Sequence, residues 1–153
     1  KDISLIKDGT EFNGNSFFIG PGTGLGAALL IGDDKVTPTE IGNTTGLTKA
    51  LLKNYSINND DHFRTLEDVL SGKAISRIYE YKTGVIMTSE DVVARYGSDD
   101  DMANLVIDGF IKSLAETISD MALTFISGRG VYIAGGLIRS IFKIMDKAFS
   151  TSS

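Results

Sequence analysis

The sixteen residues at 16–31, Ser-Phe-Phe-Ile-Gly-Pro-Gly-Thr-Gly-Leu-Gly-Ala-Ala-Leu-Leu-Ile, decide the fold. Ser16 to Ile19 is a short apolar run that reads as a strand. It breaks at Gly20-Pro21-Gly22-Thr23-Gly24 and resumes as a second apolar run, Leu25 to Ile31. Gly32-Asp33-Asp34 is a turn signal, and Lys35-Val36-Thr37 follows it as a third β-prone piece. The reading is three strands joined by two tight turns. Ala27-Ala28-Leu29-Leu30 leaves helix open for the second run, but the glycines on both sides favour strand. No charge falls between Phe17 and Gly32, yet Pro21 and five glycines interrupt the stretch. A membrane span needs about 20 predominantly apolar residues, so this is not one. A signal peptide is not expected from this stretch, since it starts late and Asp2, Asp8 and Glu11 precede it.

Working outward, Gly46 to Asn54 has helical spacing at Leu47, Leu51 and Leu52, and Tyr55 to His62 reads as a polar, exposed loop. Thr65 to Leu70 reads as the opening of a helix with Thr65 as its N-cap. Further helices are expected at Ala74 to Tyr81 and from Ser89-Glu90-Asp91 onward. The clearest helix is Asp101 to Phe125. Its apolar residues Met102, Leu105, Val106, Phe110, Leu114, Ile118, Met121 and Phe125 form one stripe at a 3.6-residue period. Such a helix would be about 37 Å long. Gly128-Arg129-Gly130 stops it, Val131 to Ala134 reads as a buried strand, and Leu137 to Phe149 reads as a last helix. Strands, helices, strand, helix is an α/β order.

The chain has 153 residues, enough for a single domain at 1–153. Its 42% hydrophobic and 23% charged residues exclude a disordered tail, a collagen-like repeat and a bare coiled coil. With 17 glycines against 2 prolines, the glycine belongs to turns at particular sites rather than to a flexible linker. A net charge of −5 argues against a phosphate-backbone binder and a polybasic membrane contact. There is no cysteine, hence no disulfide, thiolate metal site or cysteine nucleophile.

Three features carry candidate chemistry. In Gly20-Pro21-Gly22-Thr23-Gly24-Leu25-Gly26, alternate glycines allow backbone N–H groups to converge on an anion, and Thr23 adds a hydroxyl. No Lys-Ser or Lys-Thr follows, so this is not a Walker A loop, and the dinucleotide spacing also fails. A glycine-rich hairpin without chemistry fits the same residues. Ala134-Gly135-Gly136, between a strand and a helix, lets a ligand approach the backbone at a helix start, or equally allows tight strand–helix packing. Glu40 and Glu67 are acids that suit sugar hydroxyls; each is also one of 20 acids, most of them solvated. Asp99-Asp100-Asp101 reads as a charged loop and N-cap rather than a metal site. His62, the only histidine, lies in a polar loop and is read as non-catalytic.

The order and spacing of these pieces resemble the bacterial-type glucokinase family of the actin-like ATPases. The matching segments are IGPGTGLGAALL at 19–30, Glu40-Ile41-Gly42-Asn43, Leu66 to Gly72, and Val131 to Leu137. The resemblance implies a ribonuclease-H-like mixed sheet with helices on both faces. It implies ATP-dependent phosphorylation of glucose at its 6-hydroxyl, the first step of glycolysis, with ATP and Mg2+ as cofactors, in the cytoplasm. By the same carry-over, Gly22, Thr23, Gly24, Gly135 and Gly136 would hold the nucleotide, and Glu40, Asn43 and Glu67 the sugar. Asn43 stands where the family has histidine, and Ile41 where it has glycine. Ser71-Gly72-Lys73-Ala74 lacks the family's second glycine. The family's Asp-x-Gly-Gly-Thr loop and aspartate general base belong to an N-terminal domain that does not precede Lys1, and its last strand and helix would follow Phe149. The chain is therefore expected to be most of the C-terminal large domain, without a catalytic base or a metal ligand of its own and inactive alone. The missing domain, glucose and ATP are its expected partners, with no nucleic acid or membrane, and a homodimer stays open. The alternative is a non-catalytic sugar- or nucleotide-binding regulator with a degenerate kinase fold.

Overall fold

The computed structural model describes residues 14–151 except Asn59 and Ile126, with side chains up to Asp146. Asp2, Asp8, Glu11 and the final Ser152-Ser153 lie outside the described residues. The glycine-rich stretch forms three strands: β1 (Asn15–Pro21), β2 (Leu25–Ile31) and β3 (Lys35–Thr39). They pair antiparallel in sequence, with Phe18 opposite Ala28 and Leu30 opposite Val36. β4 (Val131–Ile133) adds parallel to β1, with Phe17 opposite Val131 and Ile19 opposite Ile133. The sheet order is β3-β2-β1-β4. This is the mixed sheet expected.

Five helices follow from the sequence between and after these strands: α1 (Thr48–Leu52), α2 (Gly72–Thr83), α3 (Ser89–Ala94), α4 (Asp101–Phe125) and α5 (Gly136–Thr151). Phe17 and Ile19 alternate onto one face of β1 and are buried. Phe125 of α4 stacks on Phe17 with ring centroids 5.2 Å apart. On the other face Phe18 stacks on Tyr132 at 4.9 Å. Leu66, Val69, Leu70, Ile75, Ile78, Val106, Ile107 and Phe110 join Phe17 and Ile19 in one buried core. Each such side chain contributes about 1.5–3 kcal/mol by leaving water.

The 65–70 segment corrects one expectation. Thr65 does not cap a helix there; the chain runs through turns, and α2 starts only at Gly72 with Ser71 as N-cap, its Oγ accepting the Ala74 N–H at 3.0 Å. The Asp68 and Val69 N–H groups donate to Thr65 O and Leu66 O, three residues back, so the segment makes tight turns in place of α-helical bonds, and outside contacts pin those turns. The N–H groups of Leu66 and Glu67 go to Thr44 O and Gly42 O, at 2.8 and 2.9 Å, and those of Arg64 and Thr65 go to the Asp68 carboxylate. A second correction concerns the loop expected to be exposed after Asn54. Tyr55 and Ile57 are buried, and the Tyr55 hydroxyl donates to Val69 O at 2.6 Å. The stripe on α4 also shifts: Ala103, Val106, Ile107, Phe110, Leu114 and Thr117 are buried, whereas Met102, in the first turn, is 38% exposed. Asp100 caps α4, its Oδ1 accepting the Ala103 N–H at 3.1 Å, as the acidic run predicted.

Candidate functional site

The turn between β1 and β2 is closed by a Gly22 N–H donated to Gly24 O at 2.8 Å. The start of α2 supports it from below: Gly72 and Lys73 donate their N–H groups to Gly22 O and Thr23 O. A Cβ at position 72 would stand 2.8 Å from Gly22 O, so only glycine lets α2 approach this closely. With these carbonyls occupied, the N–H groups of Thr23 and Gly24 donate to no other group among the described residues. Two open amide donors and a hydroxyl at one tip are groups able to donate to an anion.

A cleft of about 430 Å³ borders this tip, lined by Gly22, Thr23, Gly72, Lys73, Ser76, Thr88, Ser89, Glu90 and Leu137. Lys73 makes no ion pair among the described residues. Ser76 Oγ donates to Met87 O, which holds the 85–88 segment against α2 and shapes the cleft wall. The sequence reading missed Lys73, Ser76 and Thr88. The available signal was a cation placed immediately after a Ser-Gly pair at a helix start.

The Gly135 bend lies against the base of the same hairpin. Gly135 has φ +121°, and a Cβ there would be 3.5 Å from Pro21 O. β4 delivers it: Ala134 N–H donates to Ile19 O at 3.0 Å, and Gly136 opens α5. Gly22, Thr23, Gly24 and Gly135 are thus drawn to one end of the sheet, beside Gly136. Only Gly22 and Thr23 of the five line the cleft.

The three acid and amide candidates gather on the other flank of the hairpin. The Asn43 side-chain amide donates to Glu40 Oε2 at 2.9 Å, within a tight turn at Ile41–Asn43. Both side chains are exposed. Gly42, between them, is buried, and a Cβ on it would be 3.6 Å from the Glu67 Cβ. Glu67 Oε1 accepts the Leu25 N–H at 2.9 Å. The hairpin tip therefore separates two groups: Gly22 and Thr23 face the cleft, while Gly24 and Leu25 touch Glu67.

His62 lies apart, on a shallow cleft of about 360 Å³ with Phe63, Arg77 and Tyr81. Its Nδ1 is 2.6 Å from Asp60 Oδ1. The Asp60 carboxyl is held down at about 2, chiefly by the His62 backbone N–H and then by the Tyr81 hydroxyl. Among the described residues no group of three or more His, Asp or Glu side chains is placed to hold a metal ion. No described helix is long and apolar enough to cross a membrane.

Comparison with known proteins gives this arrangement a context. A glucokinase-like protein of Xylella fastidiosa (strain Temecula1 / ATCC 700964) is 30% identical over 145 residues, covering 82% of this chain and 42% of its own. A glucokinase from an Antarctic psychrotroph superposes with a TM-score of 0.67 at 23% identity, over 90% of this chain and 47% of that one. A ROK family glucokinase from Streptomyces griseus, solved with glucose and AMPPNP, gives a TM-score of 0.62 at 16% identity, over 90% of this chain and 50% of that one. The chain spans about half the length of the curated relatives it matches. The mixed sheet with helices has the actin-like ATPase fold of these kinases. The glucokinase family model matches residues 1–151, so nearly the whole chain follows the family pattern, and the chain belongs to the glucokinase family.

Proposed function

We propose that this chain is the C-terminal-domain half of an ATP-dependent glucokinase, whose complete form transfers the γ-phosphoryl of ATP to the 6-hydroxyl of glucose in the cytoplasm. The observation that carries the reading is the two-sided hairpin tip, with the open Thr23 N–H beside a cleft and carboxylates on the opposite flank. Phosphoryl transfer depends mostly on positioning and charge stabilisation, and a rigid element between two ligands supplies positioning. Thr23 and Gly24 N–H groups, the Thr23 hydroxyl and Lys73 would take phosphate oxygens. Gly22 and the Gly135-Gly136 bend would let the nucleotide lie close to the backbone. Glu40, Asn43 and Glu67 would orient the sugar. The donors at the tip are N–H, hydroxyl and ammonium, a set that suits phosphate and not a cation. Mg2+ would therefore enter with ATP, on the phosphates, where it neutralises developing charge. The group that takes the hydroxyl proton is assigned to the family's N-terminal domain, which would also close over the cleft and exclude water.

The test is an NMR titration of the chain with glucose and then Mg-ATP. Glucose is expected to shift the Gly42 amide, and Mg-ATP the Gly22, Gly24, Gly135 and Gly136 amides. Lys73→Ala is expected to weaken Mg-ATP binding about tenfold, the scale of one hydrogen bond to a charged group. The chain alone is expected to release no glucose 6-phosphate. Absence of all these shifts, both in this chain and in a protein extended by the family's N-terminal domain, overturns the reading.

A further inference from the structure

In the proposed site Glu67 is a sugar contact, yet its defined contact is with the hairpin. Oε1 accepts the Leu25 N–H at 2.9 Å across 42 residues of sequence. A Cβ at position 24 would stand 2.6 Å from that same oxygen and 3.3 Å from the carboxyl carbon. The carboxylate fits only because residue 24 has no side chain. Glu67 is itself held from both ends. Its N–H donates to Gly42 O at 2.9 Å, and its carbonyl accepts Ser71 Oγ at 2.7 Å. Ser71 in turn caps α2, the helix whose first N–H groups hold Gly22 O and Thr23 O. Both ends of the tip are thereby referred to one frame. A hydrogen bond from an amide to a carboxylate is roughly twice as strong as a neutral one, so Oε1 is a firm anchor for the start of β2. Oε2 has no partner among the described residues.

We propose that Glu67 is a positioning residue for the phosphate hairpin, and that through its two carboxylate oxygens sugar binding and nucleotide binding are coupled. Oε1 fixes Gly24 and Leu25; Oε2 is left for a sugar hydroxyl. A sugar on Oε2 restricts rotation of the carboxylate and so stiffens the tip that receives the phosphates. By linkage, nucleotide on the tip must favour sugar by the same factor. The coupling rests on the kinase reading above; the anchor at Leu25 does not.

The experiment therefore has two arms. Without ligand, amide hydrogen exchange is followed in the wild-type chain, Glu67→Ala, Glu67→Gln and Gly24→Ala. Leu25 exchange is expected to quicken about tenfold or more in Glu67→Ala, the scale of one lost charged hydrogen bond. Glu67→Gln is expected to fall between wild type and Glu67→Ala, because its amide oxygen accepts the same bond without the charge. Gly24→Ala is expected to behave like Glu67→Ala by displacing the carboxylate. Slow amides in α4 report whether the fold is kept; if Glu67→Ala loses them, Gly24→Ala decides. Unchanged Leu25 exchange in the variants that stay folded overturns the anchor. With ligand, Mg-ATP affinity is measured in the absence of sugar. Glu67→Ala is expected to bind roughly threefold or more weakly and Glu67→Gln to be weakened less, which a residue serving sugar alone would not cause. Glucose is expected to tighten Mg-ATP in wild type and not in Glu67→Ala. If wild type binds both ligands but Glu67→Ala keeps full nucleotide affinity, the coupling falls and the kinase reading stands. If wild type and its extended form bind neither, the kinase reading falls with the coupling, and the Leu25 result still judges the anchor.

Discussion

Gly22 and Gly42 flank the same site and answer to different constraints. A Cβ at Gly42 would lie 2.9 Å from Leu25 O, a backbone atom that cannot swing away. At Gly22 a Cβ would meet nothing within 4 Å. Gly42→Ala is therefore expected to cost about 1–3 kcal/mol, the usual penalty for forcing a methyl into packed structure. Gly22→Ala is expected to stay within about 0.5 kcal/mol, as exposed substitutions do. Urea midpoints of the two variants check this, and equal costs would sink the argument. The distinction is not legible in the sequence. Alternate glycines announce a hairpin and an anion nest, but which glycine is crowded depends on Leu25 and Glu67, brought in from elsewhere. Glu67 shows the same limit. Its residue type and its place before Val-Leu-Ser-Gly, read through the family resemblance, suggest sugar; its bond to Leu25 spans too many residues for local pattern to reveal.

Elements were legible where one local signal dominated. The period of α4 gave its extent, Asp101–Phe125, because one apolar stripe runs its whole length and Gly128 and Gly130 follow its end. The 65–70 segment misled for the opposite reason: its pattern is helical, but contacts with the 42–44 turn and with Asp68 hold it as turns whose bonds reach three residues back. α4 also carries a test at this scale. Gly109 sits mid-helix, where Ala is normally better by about 1 kcal/mol. Here a Cβ would lie 2.7 Å from Asn54 O and 2.7 Å from the Tyr55 ring. Tyr55 cannot yield, since it is fully buried and bonded to Val69 O. The crowding outweighs the propensity, and Gly109→Ala is expected to lower stability by about 1–2 kcal/mol net. Chemical denaturation reads the sign directly; a stabilised variant would show that α4 can slide away from Tyr55.

At the scale of the molecule, the mixed sheet followed from three strands and one β-prone run after a long helix, whereas the junctions that lock the helices together are made by aspartates whose tyrosine partners no pattern identifies. Asp60 receives the Tyr81 hydroxyl from α2 at 2.7 Å. Asp100 receives the Tyr79 hydroxyl at 2.8 Å while capping α4. Asp68 closes the 64–68 turn and meets Arg77 at 3.3 Å. The Arg77 pair is partly exposed and worth little by itself; the backbone N–H bonds matter more. All three carboxyls are held below their ordinary value of 3.8. For Asp100 the leading cause is the Ala103 N–H, then the Tyr79 hydroxyl. For Asp68 burial pushes upward but is outweighed by the Thr65 and Arg64 N–H groups. A carboxyl with a depressed folded pKa stabilises the fold above its unfolded pKa, and that stability is lost as pH falls through the folded value. The window thus opens near 3.8 and extends to about 2 for Asp60. Urea midpoints are expected to be level between about pH 7 and 5 and to fall below about pH 4. Asp100→Asn keeps the cap acceptor but cannot titrate, so it is expected to be less stable at neutral pH and to have a shallower acid branch. An acid branch as steep as that of wild type would mean that the loss of stability comes from other carboxyls and not from the junction where α2 meets α4.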